Sequence, residues 1–318
     1  MSKSKNTSGY VKSIISAFTW GIDTVISGII LSSPPFAKVD GIMLFAPLVA
    51  VFLHDFIGAI WLLIYLAVRG RLRDFIKSLR KKEVKFAVLA GLLGGPIGMG
   101  GYYLSIKYLG PSYAAALSSV YPIMGAVLAA IFLKEKLGPR GWGGLFISVV
   151  GVVLLSFDGG KGSISMMGLI FAAMPIIGWG GECIVCAIGM KNEELRPIQV
   201  LTIRQLTSGI CFGAIIIPII GGFGVLKDVL TDRNTLLLSI LVAFVGAVSL
   251  GLYYISIHSI GAVKAMIVNI TYVIWSLAIS VAFMGATITL KKALFIGLIF
   301  AGSLLVIFRK SAQEGYEG

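Results

Sequence analysis

Apolar residues in this chain come in long, nearly uninterrupted stretches of about 20 residues, separated by short segments that hold most of the lysine and arginine. A helix advances about 1.5 Å per residue, so such a stretch crosses a hydrocarbon core of about 30 Å. The pattern predicts ten transmembrane helices, over residues 10–31, 41–68, 86–108, 112–133, 140–157, 164–189, 197–221, 234–257, 262–284 and 290–308. The first stretch contains Asp23, runs on to Leu31 and lacks a small-residue cleavage site, so it is expected to be a helix and not a removable signal peptide.

Composition agrees with lipid as the solvent. The chain has 318 residues, 57% of them hydrophobic and 13% charged, with a mean hydropathy of +0.96. That leaves too little polar surface to cover a soluble globule, and the expected fold class is an all-α polytopic membrane protein. The net charge of +13 does not point to nucleic acid, because the basic residues are spread between hydrophobic spans. Topology accounts for them. With the amino terminus inside, cytoplasmic segments collect 19 of the 27 Lys and Arg, including Arg69, Arg71, Arg73, Lys77, Arg80, Lys81, Lys82 and Lys85. The opposite side collects 7, and Arg204 falls within a span. The positive-inside bias then places both termini in the cytoplasm. Cys183, Cys186 and Cys211 lie within spans without a second ligand pair, so packing is expected of them and no metal or cofactor is implied. The 40 glycines suit close helix approach in a membrane.

The chain also resembles itself. A shift of 151 residues aligns Tyr102-Tyr103-Leu104-Ser105-Ile106 with Tyr253-Tyr254-Ile255-Ser256-Ile257, Gly110 with Gly261, Ala114 with Ala265 and Tyr121 with Tyr272. A shift of 159 aligns Trp20-Gly21-Ile22-Asp23 with Trp179-Gly180-Gly181-Glu182. Shared membrane composition would explain matches among Gly, Ala and Ile; a matched Trp-Gly-x-acid and Tyr-Tyr-x-Ser-Ile go beyond it. Two halves are expected, residues 1–157 and 158–318. Five helices per half is an odd number, so the second half must enter the membrane from the opposite side. That gives an inverted repeat, the arrangement with which many carriers expose one midplane site to each side in turn.

Asp23 and Glu182 are ionisable groups inside predicted spans, where a charge costs several kcal/mol unless it meets a partner or a cavity. Each follows a tryptophan by three positions, so the ring and the carboxylate share a helix face. A carboxylate among aromatic faces is the environment a desolvated organic cation requires. The competing structural reading is that Trp20 and Trp179 face lipid or pack, and that the acids pair with Arg204 or His54. Tyr272 and Trp275 share a face of the ninth predicted helix and are expected to complete an aromatic cage. His54-Asp55 and Arg204-Gln205 stand at roughly repeat-related places; pairing for stability and proton traffic both fit them, which makes them, with Asp23, candidates for coupling or gating. Pro96, Pro122 and Pro175 are expected to interrupt or kink their helices. The chain has no nucleotide-binding Gly-x-x-x-x-Gly-Lys-Ser/Thr loop and no set of nucleophile, base and orienting residue, so an enzyme is not expected.

The ten-helix duplicated pattern, with Tyr121-Pro122 and Leu133-Lys134-Glu135, resembles the drug/metabolite transporter superfamily of the EamA type across nearly the whole chain. Several segments are similar to LicB-type bacterial choline permeases: Phe18-Thr19-Trp20-Gly21, His54-Asp55-Phe56, Gly95-Pro96-Ile97-Gly98-Met99, Gly178-Trp179-Gly180-Gly181-Glu182, Ile203-Arg204-Gln205-Leu206-Thr207-Ser208 and Asn269-Ile270-Thr271-Tyr272-Val273-Ile274-Trp275. The resemblance implies import of choline or a related quaternary amine across the bacterial inner membrane, through a cavity lined by aromatic residues; the residues themselves leave open whether protons are coupled to it, through Glu182 or through His54 with Asp55. The resemblance makes Trp20, Trp179, Glu182, Tyr272 and Trp275 the expected substrate contacts. Asp23 departs from that pattern, in which an uncharged residue follows the first Trp-Gly. The broader superfamily also admits an exporter of amino acids or other metabolites, and a receptor that binds without transport is the alternative from another class.

Overall fold

A computed structural model describes residues 3–37, 45–134, 138–157, 165–285, 287 and 289–307. Among these residues every regular element is helical: α1 (Lys3–Leu31), α2 (Pro47–Val68), α3 (Leu72–Ser78), α4 (Val84–Leu92), α5 (Gly100–Leu109), α6 (Pro111–Ser118), α7 (Tyr121–Phe132), α8 (Pro139–Phe157), α9 (Met166–Met190), α10 (Pro197–Cys211), α11 (Ile217–Ile219), α12 (Phe223–Thr231), α13 (Arg233–Ile260), α14 (Ala262–Asn269), α15 (Tyr272–Met284) and α16 (Leu290–Ile307). Seven spans among them are long and apolar enough to cross a membrane: Thr7–Leu31, Pro47–Val68, Val84–Leu109, Met166–Met190, Pro197–Ile219, Arg233–Ile260 and Ala262–Met284. The protein is therefore a polytopic helical membrane protein. Large apolar side chains cover its outside, with Val68 80%, Ile219 78% and Phe283 82% exposed. In water such a surface would aggregate; in a bilayer it meets lipid tails.

The predicted helix positions are recovered with informative differences. The third and seventh each pass through one π-helical stretch, at Leu93–Met99 and Phe212–Ile216. Pro96 lies inside the first and Pro218 just beyond the second, where a missing N–H and ring bulk favour a widened turn. The fourth is broken at Ser119 and Val120 and the ninth at Ile270 and Thr271, so each becomes two short helices. Pro122 follows the first break at the start of α7, whereas Pro175 sits inside the continuous α9. The short helices α3 and α12, which hydropathy reads as loops, close the turns after the second and seventh predicted spans. Asp232 caps α13 by accepting from the Thr235 N–H at 2.8 Å, and hydrogen bonds from the Thr235 side chain and then its backbone hold the Asp232 carboxyl below the usual range. Residues 41–44, 164 and 308 of the predicted helices lie outside the described residues, as do both termini and the charged positions Lys38, Glu135, Lys136, Lys161, Arg309 and Lys310.

Helix contacts recur in reciprocal form. Tyr272 donates to the Ala115 carbonyl at 3.0 Å and its hydroxyl lies 2.8 Å from Ser118 Oγ. Tyr121 donates to the Met266 carbonyl at 3.5 Å and to Asn269 Oδ1 at 3.4 Å. These six positions form three pairs 151 residues apart, Ala115 with Met266, Ser118 with Asn269 and Tyr121 with Tyr272. Ser148 of α8 donates to the carbonyl of Ile299 in α16 at 3.2 Å, again across a separation of 151 residues. On the other flank α1 and α13 exchange bonds, Ser16 Oγ to the Ser249 carbonyl at 2.9 Å and Ser249 Oγ to the Ser16 carbonyl at 2.8 Å.

Small residues set how closely these helices approach. A Cβ at Gly178 of α9 would fall 2.6 Å from the backbone nitrogen of Gly98 and 2.6 Å from the Leu93 carbonyl oxygen, atoms that cannot move aside. Gly143 of α8, by contrast, has nothing within 4 Å of that point. Gly178→Ala is therefore expected to destabilise the protein by about 1–3 kcal/mol through overpacking, whereas Gly143→Ala is expected to be neutral or slightly stabilising. Thermal unfolding of the two variants in one detergent checks this; equal melting temperatures would refute it.

Candidate functional site

The first π-helical stretch lies against α9 and brings three glycines to its surface. A Cβ on Gly94 would overlap the Glu182 carboxylate, one on Gly95 would overlap the Ser208 hydroxyl, and one on Gly98 would stand 2.6 Å from Trp179 Nε1. The Gly-Gly-Pro-x-Gly segment thus makes room for an acid, a hydroxyl and an indole from neighbouring helices. Pro96 widens the turn that carries it.

Around this surface runs a chain of buried charges. Asp23 Oδ2 of α1 lies 3.0 Å from His54 Nε2 of α2. His54 Nδ1 lies 3.0 Å from Asp55 Oδ1. Arg204 of α10 donates from Nη1 to Asp55 Oδ2 at 2.9 Å and from Nε to Glu182 Oε1 of α9 at 2.8 Å. Tyr254 of α13 donates to the same Glu182 oxygen at 2.6 Å, Ser208 donates to Asp55, and Gln205 Oε1 takes a 3.2 Å bond from Arg204. Ser27 reaches Asp23 Oδ1 at 3.3 Å and Tyr103 OH at 2.7 Å. Asp23, His54, Asp55, Arg204 and Gln205 are all 0% exposed, and Glu182 is 6% exposed. An imidazolium at His54 would donate to both carboxylates at once, where a neutral ring has one N–H. In that state the chain holds three carboxylates against two cations, leaving one negative charge.

Glu182 and Arg204 also line a cavity walled by Trp20, Tyr121, Trp179, Tyr253, Tyr254 and Tyr272, with Ser16, Cys183, Ser249, Leu250, Ile257 and Asn269. Trp20 and Trp179 meet edge to face at 5.8 Å. Tyr102 lies 4.9 Å from Trp179 behind them, and Tyr121 meets Trp179 at 5.9 Å. The rings offer π faces and edges, and Glu182 offers charge.

The sequence-derived candidates divide accordingly. Trp20, Trp179, Glu182 and Tyr272 converge on the cavity, and both acids have the basic partners that the competing structural reading gave them. Trp275 does not join the cavity. It is half-buried and edge-on to Phe18 at 5.2 Å, because Gly21 lets α1 press against α15 at its Cβ. Asp23, His54, Asp55 and Gln205 sit behind the cavity wall in the charge chain. Tyr121, Tyr253 and Tyr254 also line the cavity; the repeated Tyr-Tyr pair marks two of them in the sequence, but nothing in hydropathy distinguishes a cavity tyrosine from a packing one.

The model of the EamA-like transporter family matches this chain over residues 7–157 and 166–308. The chain belongs to the EamA-like transporter family. Protein LicB of Haemophilus influenzae is 29% identical to this transporter over 96% of the chain and 99% of its own length. An uncharacterized transporter of Helicobacter pylori is 25% identical over 85% of the chain and 88% of its own length. A solved crystal structure matches 96% of each chain with a TM-score of 0.65 at 17% identity, a likeness of fold.

Arg204 is the pivot of the transporter's buried charges. Arg204→Met leaves Asp55 and Glu182 as unpaired buried anions and is expected to cost about 3–5 kcal/mol. Adding Asp55→Asn and Glu182→Gln should recover part of that loss. Melting temperatures of the single and triple variants test the idea, which fails if the triple variant is less stable than the single one.

Proposed function

We propose that this transporter is a secondary carrier that imports choline or a related quaternary amine by alternating access, driven in part by protons. The observation that carries the reading is the cavity in which Trp20, Trp179, Tyr121, Tyr254 and Tyr272 surround the Glu182 carboxylate. A quaternary ammonium cannot lose its charge, and it gives up hydration on entry. Cation–π attraction, worth about 2 kcal/mol when desolvated, and the excess negative charge of the buried chain offset that loss. An amino-acid substrate would need a free cation for its carboxylate, and Arg204 is already bonded to Glu182 and Asp55.

In this reading the two halves, residues 1–157 and 158–318, form an inverted repeat of five spans each, with Tyr121–Phe132, Pro139–Phe157 and Leu290–Ile307 helping to complete ten. Three observations support it: the reciprocal contacts of Tyr121 and Tyr272, the break of both α6–α7 and α14–α15 at equivalent positions, and the match of the family model in two stretches. Broken helices at a midplane site are a recurrent feature of such carriers. The basic cluster at 69–85 supports cytoplasmic termini, and the proposed membrane is a bacterial inner membrane. An inside-negative potential then favours entry of one positive charge by about 2.3 kcal/mol per 100 mV. Asp23, His54, Asp55, Arg204 and Gln205 serve coupling, with His54 as the proton carrier between two acids. Trp275 supports α1 from outside the cage.

Uptake of labelled choline into proteoliposomes is expected under an inside-negative potential, with further stimulation by an inside-alkaline gradient. Trp179→Ala and Glu182→Gln should each lower uptake at least about tenfold, a loss of one cation–π or charge contact. His54→Gln should retain choline binding but lose the response to the pH gradient. Transport of neutral amino acids with none of choline would overturn the proposal.

A further inference from the structure

One corner of the cavity carries no charged group and is built from hydroxyls and an amide. Asn269 Nδ2 donates to Ser16 Oγ at 3.1 Å, Ser16 and Ser249 exchange hydroxyl-to-carbonyl bonds, and Tyr121 OH donates to Asn269 Oδ1 at 3.4 Å. All four residues line the cavity, and three different helices and a helix break bring them together. An amide has two N–H donors and two acceptor lone pairs. These bonds use one of each at Asn269, so a donor and an acceptor remain for another group. On α1, Ser16 precedes Trp20 by one turn, about 6 Å along the axis, a separation that a short arm spans.

We propose, resting on the cation reading above, that Ser16, Ser249 and Asn269 form a second subsite that binds a hydroxyl on the arm of the substrate and rejects a carboxylate there. A hydroxyl is both donor and acceptor and matches the mixed, neutral lining. A carboxylate has no donor. Among the lining residues the charged groups are Glu182 and Arg204, and the cation of that pair is already bonded to two acids. A carboxylate in the corner is therefore a buried anion with no counter-charge. The aromatic end fixes the class as a quaternary amine, and the corner narrows it to hydroxyalkyl over carboxyalkyl amines.

Equilibrium binding of three probes to the purified transporter tests the subsite: choline, propyltrimethylammonium, in which a methyl replaces the hydroxyl, and betaine, in which a carboxylate replaces the hydroxymethyl group. Choline is expected to bind at least about tenfold more tightly than propyltrimethylammonium, since a site built for a hydroxyl penalises its absence, and betaine more weakly than both. In Asn269→Leu the choline preference should collapse to within about threefold, the loss falling on choline. Ser249→Ala, a smaller change on another helix, should reduce the preference in the same direction and guards against misfolding of the first variant. Equal binding of choline and propyltrimethylammonium by the unaltered protein overturns the subsite while leaving the cation site standing, as does an equal loss for both probes in both variants. Binding of no quaternary amine overturns the functional reading and the subsite with it.

Discussion

Arg204 is a guanidinium that keeps its proton in any protein environment, and here it is completely withdrawn from solvent in the middle of a membrane protein. Such a group must be surrounded by acids, and it collects Asp55 from α2 and Glu182 from α9. Those acids dictate much of what surrounds them. Glu182 can reach Arg204 because Gly94 has no side chain, and Asp55 takes the Ser208 hydroxyl because Gly95 has none. The π-helical stretch around Pro96 presents both glycines on one surface. Between helices in lipid there is no hydrophobic drive, so packing and polar bonds hold the bundle together. The chain from Asp23 to Tyr254 ties five helices, α1, α2, α9, α10 and α13, through such bonds.

The same pairing links the buried charges to the cavity. Glu182 is both the last acid of the chain and the carboxylate among the aromatic rings. A cation in the cavity and Arg204 therefore act on one carboxylate, and any shift of α9 against α10 alters both contacts together. At the other end His54 stands between two acids, so a proton there changes the charge felt along the whole chain. In the proposed carrier, binding and protonation are linked through these shared bonds.

Much of the architecture was legible because lipid imposes a strict rule: a spanning segment must be helical and apolar over a fixed length. Hydropathy therefore located the helices to within a few residues. Pro96 and Pro122 marked the first π-helical stretch and the break after Ser118, but nothing marked the break after Asn269, which preserves apolar character while changing the backbone path. Hydropathy missed α3 and α12, whose mixed composition reads as loop. Family membership was legible in Trp179-Gly-x-Glu182 and Arg204-Gln-x-Thr-Ser208, as was the interest of each buried acid. Spacing on one helix paired Tyr272 with Trp275, and the fold separated them, because Gly21 brings α1 against Trp275 while Tyr272 turns inward to Ser118.

What the sequence determined by itself was the solvent of the protein, its helical class and the identity of the ionisable groups that lipid makes expensive. All three follow from local composition, and each stretch or residue carries its own cost of burial. Which acid meets which base, and which rings share a cavity, are relations between helices far apart in the chain. Asp55 and Arg204 are separated by 149 residues and meet at 2.9 Å. Only the packing, set by glycine contacts and helix breaks whose effects extend across the bundle, could decide them.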